Sequence, residues 1–214
     1  MPRKYAIKEV FATLQGEGAQ AGSPAVFLRF AGCNLGYEVC PWCDTDWVKA
    51  RYTLDLADTL DLVRATAEMG FGGERPGLLL VATGGEPSLQ LDRPLSDALR
   101  IRGYRISMES NGSRPVDRTL VDWLTVSPKQ PEFAQKEGEE LKLLFTGTSV
   151  PGITPDVEAV RRLAAGTRFG SYFLQPVDIP ANGGPNYAET VRAVMELGPP
   201  WRLSVQTHKV TGIP

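Results

Sequence analysis

The chain has three cysteines, Cys33, Cys40 and Cys43, which all fall within eleven positions. A disulfide framework is typical of secreted chains and usually pairs an even number of cysteines. An odd number of closely spaced thiols indicates metal or redox chemistry instead. The two-residue gap between Cys40 and Cys43 allows both thiolates to reach one metal centre from a single turn.

This spacing leaves two kinds of metal centre open. A structural zinc site is tetrahedral and needs a fourth ligand, which would have to be His208, the only histidine of the chain. A [4Fe–4S] cluster held by three thiolates keeps one iron open for another ligand, where most iron–sulfur proteins supply a fourth cysteine. Trp42 inside the cysteine pair, with Asp44 and Thr45 directly after it, favours the cluster.

The elements that must position these residues are strands and helices in alternation. Apolar, strand-forming runs occur at 26–30, 78–82, 104–108, 124–126, 141–145, 172–174 and 201–205. Helical spacing of apolar residues predicts helices near 56–67, 91–102, 154–163 and 187–197. Near-continuous apolar strands separated by helices are typical of a parallel sheet that is buried on both faces.

The number of these units limits the fold. Six or seven strand units with four helices are too few for an eight-unit barrel, which takes about 250 residues. A flat, doubly wound sheet is the rival, but no G-x-G-x-x-G follows the first strand. We therefore predict an α/β fold, a partial, splayed (β/α)6-type barrel with a parallel sheet. No Pro/Gly-rich linker divides the chain, so one domain is expected over residues 1–214.

Polar clusters follow the predicted strands at the points where the strands end. In parallel α/β folds the reactive groups gather at the carboxyl ends of the strands. Six clusters fit this rule: Cys33, then residues 83–87, 109–112, 127–129, 175–178 and 206–209. The sequence therefore predicts a single site at that edge of the sheet.

Composition excludes several other functions. The 214 residues are 42% hydrophobic and 22% charged, as in ordinary globular proteins. A net charge of −2 argues against non-specific binding to nucleic acid or to a membrane surface. No apolar run approaches the roughly 18 residues of a membrane span, and no apolar stretch follows the basic residues at the start. We expect a cytoplasmic protein.

Two motifs together resemble those of the radical S-adenosylmethionine (SAM) enzymes: the cysteine loop, and Gly84-Gly85-Glu86-Pro87 about forty residues later. Within that superfamily the chain resembles, from about residue 5 to its last residue, the deazapurine-forming synthases of queuosine and 7-deazapurine biosynthesis. Seven motifs carry the resemblance, at 13–18, 29–35, 43–46, 83–87, 109–112, 127–129 and 206–214. One departure is that six residues separate Cys33 from Cys40, where most radical SAM enzymes have three.

The resemblance implies an activity, cofactors and partners. The activity is a lyase reaction that converts 6-carboxy-5,6,7,8-tetrahydropterin to 7-carboxy-7-deazaguanine with loss of ammonia. The implied cofactors are a [4Fe–4S] cluster, SAM and Mg²⁺. A homodimer and an electron donor such as flavodoxin are implied as well, with no nucleic-acid or membrane partner.

The resemblance also assigns residues to roles. The cluster ligands would be Cys33, Cys40 and Cys43, and Thr45 would give a hydroxyl oxygen to Mg²⁺. The SAM side would comprise Trp42, Cys43, Asp44, Gly85, Ser127, Pro128, Lys129, Gln175, Pro176, Val177 and Asp178. The substrate side would comprise Leu14, Gln15, Gly16, Arg29, Thr83, Glu109, Asn111, His208 and Pro214. Arg29 would pair with the substrate carboxylate, which suits a planar guanidinium.

Other interpretations stay open at this point. A different radical SAM enzyme, such as an activase that makes a glycyl radical on a protein partner, would share the cysteines but would not need Arg29 or Pro214. A non-catalytic zinc module is a third hypothesis. Arg29 could form a structural ion pair, Asn111 could belong to a turn, and His208 could be structural. The charged run at 136–140 is interpreted as a solvated turn.

Overall fold

The computed structural model describes residues 3–147, 150, 153–177 and 184–214. Its nine strands are β1 Tyr5–Leu14, β2 Pro24–Phe30, β3 Tyr52–Leu54, β4 Leu79–Gly84, β5 Arg105–Ser110, β6 Trp123–Val126, β7 Glu137–Phe145, β8 Arg168–Pro176 and β9 Trp201–Leu203. Its helices are α1 Gly36–Val39, α2 Leu56–Phe71, α3 Arg93–Ile101, α4 Val157–Ala164, α5 Tyr187–Leu197 and α6 Thr207–Thr211.

The strands form one open sheet in the order β3-β1-β2-β4-β5-β6-β7-β8-β9. From β2 to β9 every neighbouring pair is parallel, which makes seven parallel strands. The prediction of a partial, splayed (β/α) barrel is therefore confirmed. The sheet is mostly rather than wholly parallel, because β1 pairs antiparallel with both β2 and β3. Sequence reasoning missed strands β1 and β3.

The longest helix shows how local sequence sets the element boundaries. Asp55 caps α2 by accepting a hydrogen bond from the backbone N–H of Asp58, and Gly72 ends it in the left-handed conformation at φ 72°. Between them Leu60, Val63 and Ala67 recur at helical spacing and are buried in the core. Burial of this apolar stripe against the sheet stabilises the helix more than its intrinsic propensity does.

Alternate side chains of strand β7 lie in the hydrophobic core and in the cavity on the other face of the sheet. Leu141, Leu143 and Phe145 are buried in the hydrophobic core, whereas Lys142 and Leu144 lie on the other face and line a cavity. The interpretation of residues 136–140 as a solvated turn is wrong, because β7 begins at Glu137 and Glu140 is only 2% exposed.

The end of the chain also differs from its prediction. The last strand, predicted over 201–205, stops at Leu203, and most of the polar cluster predicted at 206–209 lies in α6. In the part of the chain that the structure describes, no helix has the length and apolar character to cross a membrane.

Candidate active site

A cavity of about 660 Å³ lies at the carboxyl ends of the parallel strands. Its lining includes all the predicted site residues except Pro128 and Asp178. The predicted residues that line it are Leu14, Gln15, Gly16, Arg29, Cys33, Cys40, Trp42, Cys43, Asp44, Thr45, Thr83, Gly85, Glu109, Asn111, Ser127, Lys129, Gln175, Pro176, Val177, His208 and Pro214. Pro128 is buried and is not part of the lining. Asp178 lies outside the described residues.

The three cysteines enter the cavity from one loop that contains the short helix α1. The backbone N–H of Cys40 donates to Gly36 O at 3.2 Å, and that of Cys43 donates to Cys40 O at 3.1 Å, so the Cys40–Cys43 pair sits in a turn. Among the residues that the structure covers, no three Cys, His, Asp or Glu side chains are arranged to hold a metal ion. The thiols share a cavity without closing around a common point.

Charges near the thiols act on Cys40 in opposite directions. Burial raises the pKa of this thiol, the ammonium of Lys129 lowers it, and the neighbouring Cys43 and Cys33 raise it again. A cluster ligand must be a thiolate. Three thiols at one cavity suit a cluster that takes three protein ligands. The positively charged irons of such a cluster would stabilise the thiolate forms of the three cysteines.

The glycine motif lies directly against the start of the cysteine loop. The backbone N–H of Gly85 donates to Phe30 O at 3.2 Å, and that of Glu86 donates to Gly32 O at 2.9 Å. A Cβ at position 85 would lie 2.0 Å from Gly32 O and 2.9 Å from Cys33 N. Glycine is required at position 85 because the two backbone segments touch, and their contact fixes where Cys33 begins the loop.

Asn111 connects a third loop to the cysteine loop. Its side-chain nitrogen donates to Asn34 Oδ1 at 3.1 Å, and its Oδ1 accepts from Ser113 N at 2.9 Å. The predicted turn at Asn111 is therefore present, and the same residue also lines the cavity.

Arg29 combines a structural contact with a position in the cavity. Its Nε donates to Glu9 Oε1 at 2.8 Å, and its guanidinium carbon lies 5.7 Å from the centre of the Phe11 ring. The ion pair expected of a structural arginine exists, but it engages Nε and not the terminal nitrogens. The side chain is held in one orientation while the guanidinium still lines the cavity.

A buried ionic cluster on the cavity wall was missed by sequence reasoning. The Lys142 side chain is 5% exposed, forms a short ion pair with Glu17, and has its Nζ 3.9 Å from Glu109 Oε1. The Gln15 side chain donates to the same Glu109 oxygen at 2.9 Å. A charged residue inside the apolar run 141–145 was the signal that could have found it.

The pKa values of this cluster follow from its mutual charges. Burial would raise the pKa of Glu17, but the charge and hydrogen bond of Lys142 overcome it and lower the pKa. Burial would lower the pKa of Lys142, but Glu109, Glu17 and Glu140 together raise it. Lys142 is therefore a cation at neutral pH, with Glu17 as an anion beside it.

Lys129, just after β6, and Gln175, on β8, line the cavity on the two sides of β7. The Lys129 ammonium donates to Ser127 O at 2.8 Å and to Ser127 Oγ at 2.5 Å. Burial and then the charge of Lys142 lower the pKa of Lys129 to about 8. Gln175 Oε1 accepts from Ser204 Oγ at 2.9 Å.

The C-terminal segment covers one end of the cavity. Thr207 donates to Gly16 O from its backbone nitrogen at 2.9 Å and from its hydroxyl at 3.0 Å. These bonds bring His208 against Gly16, where a Cβ would lie 2.3 Å from the His208 ring. Thr13 donates to Pro214 O at 2.9 Å. His208 and Pro214 both line the cavity.

Comparisons with known proteins agree with this geometry. No protein-family model matches the chain. It is 43% identical to a 7-carboxy-7-deazaguanine synthase from Bordetella pertussis, over 98% of this chain and 99% of the relative. A synthase of the same name from Caulobacter vibrioides is also 43% identical, with the same coverage. The crystal structure of QueE from Escherichia coli superimposes with a TM-score of 0.68 at 27% identity, over 96% of this chain and 95% of that chain.

The splayed barrel and the cavity with three thiols and a glycine loop at its strand ends define a radical SAM enzyme. Since relatives at 43% identity match over almost the whole chain, it belongs to the 7-carboxy-7-deazaguanine synthase family.

Proposed function

We propose that the chain converts 6-carboxy-5,6,7,8-tetrahydropterin to 7-carboxy-7-deazaguanine with loss of ammonia. The observation that carries this proposal is that one cavity unites three thiols, a glycine loop, the oriented guanidinium of Arg29 and the carboxylate of Glu109. An anionic, bicyclic substrate with ring N–H donors suits a cavity with a cation and a carboxylate in its wall. The name of the relatives from Bordetella pertussis and Caulobacter vibrioides supports the product.

In this proposal Cys33, Cys40 and Cys43 hold the [4Fe–4S] cluster. The bound cluster and SAM supply the radical chemistry that removes a hydrogen atom from the substrate. The chain contributes a loop that presents three thiols to one cavity and a glycine contact that fixes the start of that loop. Thr45, which lines the same cavity, is proposed to give its hydroxyl oxygen to Mg²⁺.

The SAM side is proposed to lie between the cysteine loop and the ends of β4, β6 and β8. Glycine at position 85 lets backbone groups approach the amino acid part of SAM. Ser127 and Lys129 supply a hydroxyl and an ammonium at one wall, and Gln175 supplies an amide held by Ser204. Trp42, Asp44, Pro128, Pro176, Val177 and Asp178 complete this set as proposals.

The substrate side is proposed to run from Arg29 to Glu109. Arg29 binds the carboxylate of the pterin through its terminal nitrogens, because Glu9 already holds Nε. Leu14, Gln15 and Gly16 border the ring, and His208 and Pro214 close the pocket from α6 and the segment after it. Closure protects a reactive substrate from water. A homodimer and a flavodoxin as electron donor are part of the same proposal.

The test is an anaerobic assay of the reduced, iron-loaded chain with SAM and 6-carboxy-5,6,7,8-tetrahydropterin. The expected result is 7-carboxy-7-deazaguanine, identified by its mass, with one equivalent of ammonia. Absence of this product from a protein that contains iron and sulfide and binds SAM would overturn the proposal. A glycyl radical formed on a protein substrate instead would favour the activase hypothesis.

A further inference from the structure

Lys142 is the most deeply buried cation of the cavity. The apolar strand in which it lies does not need a charged residue at this position for its own pairing or packing. The side chain is 5% exposed and lies between Leu141 and Leu143, which are both fully buried in the core. Burying an ammonium is costly unless it is paired. Its partners are far away in the sequence, because Glu17 precedes it by 125 residues and belongs to the loop after β1.

The three acidic neighbours of Lys142 differ in where they lie. Glu17 and Glu109 line the cavity together with Lys142, whereas Glu140 is not part of the lining and accepts the backbone N–H of Ala19 at 2.9 Å. An ion pair with a purely structural role could be buried in the core without lining a cavity. The position of Lys142 between two cavity carboxylates indicates a role in ligand binding.

Glu109 has one oxygen held and one oxygen available. Oε1 accepts from Gln15 at 2.9 Å and has the ammonium of Lys142 at 3.9 Å. Over the ranges that the structure describes, no hydrogen bond reaches Oε2. The carboxylate is thus fixed from one side with acceptor capacity remaining in the cavity.

We propose that Lys142 is a positioning residue that fixes Glu109 by direct attraction and, by pairing with Glu17, holds the loop from which Gln15 bonds Glu109. Glu109 is thereby placed to accept hydrogen bonds from the 2-amino-4-oxo-pyrimidine ring of the substrate. This inference rests on the proposed function. That ring presents a ring N–H and a 2-amino group side by side, and a carboxylate can accept both bonds at once. Arg29 binds the carboxylate at the other end, so the two charged groups define the direction of the substrate in the cavity.

The consequence is specificity for the 2-amino group. A site built to bond a particular donor rejects an analogue that lacks it, because the buried acceptor is then left unpaired. Replacement of the 2-amino group by oxygen, as in 6-carboxylumazine, would also bring a carbonyl toward the Glu109 carboxylate. Lys142 therefore selects the pterin over the lumazine by acting on Glu109.

The test measures equilibrium binding of 6-carboxypterin and 6-carboxylumazine to the iron-loaded enzyme with SAM, without oxygen. Both compounds keep the carboxylate for Arg29, and they differ only at position 2 of the pyrimidine ring. We expect the unaltered chain to prefer the pterin. Lys142→Met should weaken pterin binding by at least about tenfold, the loss typical of removing one partner of a buried charged pair. The same variant should weaken the binding of 6-carboxylumazine less, so its preference for 6-carboxypterin over 6-carboxylumazine should be smaller. Its SAM binding should stay unchanged.

Two further variants separate positioning from folding. Lys142→Arg keeps the cation and should lose less than about threefold in pterin binding. If Lys142→Met fails to fold, the double variant Glu17→Gln, Lys142→Met removes one charge of each sign and should show the same reduced preference. Arg118→Met is the matched control, because Arg118 pairs with Glu139 of the same strand as Lys142, outside the cavity. It should leave both affinities unchanged.

The outcomes distinguish this inference from the function on which it rests. An unchanged pterin preference in a folded Lys142→Met or double variant would overturn the role of Lys142 while leaving the reaction untouched. Failure of the unaltered, SAM-binding chain to form product or to bind 6-carboxypterin would overturn the proposed function instead.

Discussion

The carboxylate of Glu86 accepts a 2.7 Å hydrogen bond from the backbone N–H of Asn111 and thereby joins the end of β4 to the end of β5. Its other oxygen accepts from Ser110 Oγ at 2.9 Å and from Ser88 N at 3.1 Å. The Glu86 side chain is fully buried. Since β4 leads to the glycine motif and Glu109 lies on β5, this one carboxylate fixes the two predicted ligand sides of the cavity relative to each other.

Replacing Glu86 by alanine should destabilise the protein strongly. The change leaves donors at Ser88, Ser110 and Asn111 without their acceptor, the last two of them in buried hydrogen bonds, and each hydrogen bond to a charged group contributes about 1.5–3 kcal/mol. We expect the free energy of unfolding to fall by at least about 3 kcal/mol in urea titrations followed by circular dichroism. Glu68→Ala, at an exposed i,i+4 pair on α2, should change it by less than about 0.5 kcal/mol. Equal effects of the two variants would contradict the role of Glu86.

Gly85→Ala should impair cluster assembly rather than folding. The added Cβ would lie 2.0 Å from Gly32 O, so the start of the cysteine loop must move. We expect reduced iron and sulfide content after anaerobic reconstitution and weaker SAM binding, with the circular dichroism spectrum retained. Gly166→Ala is the control, because its φ of 73° makes alanine strained but no atom lies within 4 Å of the added Cβ. Normal iron content in Gly85→Ala would show that the loop does not depend on this contact.

The site was largely predictable because parallel strands bring their carboxyl ends to one edge of a sheet. Cys33, Gly85 and Glu109 are far apart in the sequence, yet each follows an apolar strand, and that alone placed them together. The register of β2 with β4 shows the outcome, since Arg29 lies beside Thr83 at the same edge.

The features that sequence reasoning missed depend on partners distant in the chain. Glu140 and Lys142 were assigned to a polar turn and an apolar strand, because the burial of Lys142 depends on the charge of the distant Glu17 and Glu140 is bonded by the distant Ala19 N–H. Strands β1 and β3 lack long apolar runs, and they are stabilised by pairing antiparallel with each other and, for β1, with β2. The local signal for the ionic cluster was a lysine inside the apolar run 141–145, which does not identify its partner, and the antiparallel pairing of β1 and β3 left no local periodicity to detect.

Arg29→Met should remove recognition of the substrate carboxylate. A guanidinium that pairs with a carboxylate in a cavity contributes about 2–4 kcal/mol, so kcat/KM should fall by about 30-fold to 1000-fold, mainly through KM. The sharper measurement compares the binding of 6-carboxypterin with that of pterin, which lacks the carboxylate. The unaltered chain should prefer the carboxylated compound, and Arg29→Met should lose that preference.

Two companion variants check this interpretation of Arg29. Arg29→Lys keeps the charge but not the planar fork, so its affinity should fall between those of Arg29→Met and the unaltered chain. Glu9→Gln leaves Arg29 in place and removes only the charge that holds Nε, so it should weaken binding less than Arg29→Met does. A preference for 6-carboxypterin that survives in Arg29→Met would assign the carboxylate to another residue.

Glu140→Gln should stabilise the protein at neutral pH and lose this effect in acid. Burial raises the pKa of Glu140, and the nearby carboxylates of Glu109 and Glu17 raise it further. Lys142 and the Ala19 N–H lower this pKa, but they do not cancel the increase. A carboxyl whose pKa is higher in the folded state binds more protons there than in the unfolded chain. Its favourable contribution is therefore complete below the unfolded pKa and is lost as the pH rises through the folded pKa.

Above that folded pKa the ionised, buried carboxylate of Glu140 costs stability. The substitution Glu140→Gln removes this charge and keeps a side-chain oxygen that can accept the hydrogen bond from Ala19 N. Urea unfolding at pH 8 should therefore show the variant as the more stable protein, and the difference should shrink toward zero as the pH falls toward the ordinary pKa of glutamic acid. The exposed control Glu68→Gln should show no such trend. A variant that is less stable than the unaltered chain at pH 8, or a difference that is the same at both ends of the range, would contradict the prediction.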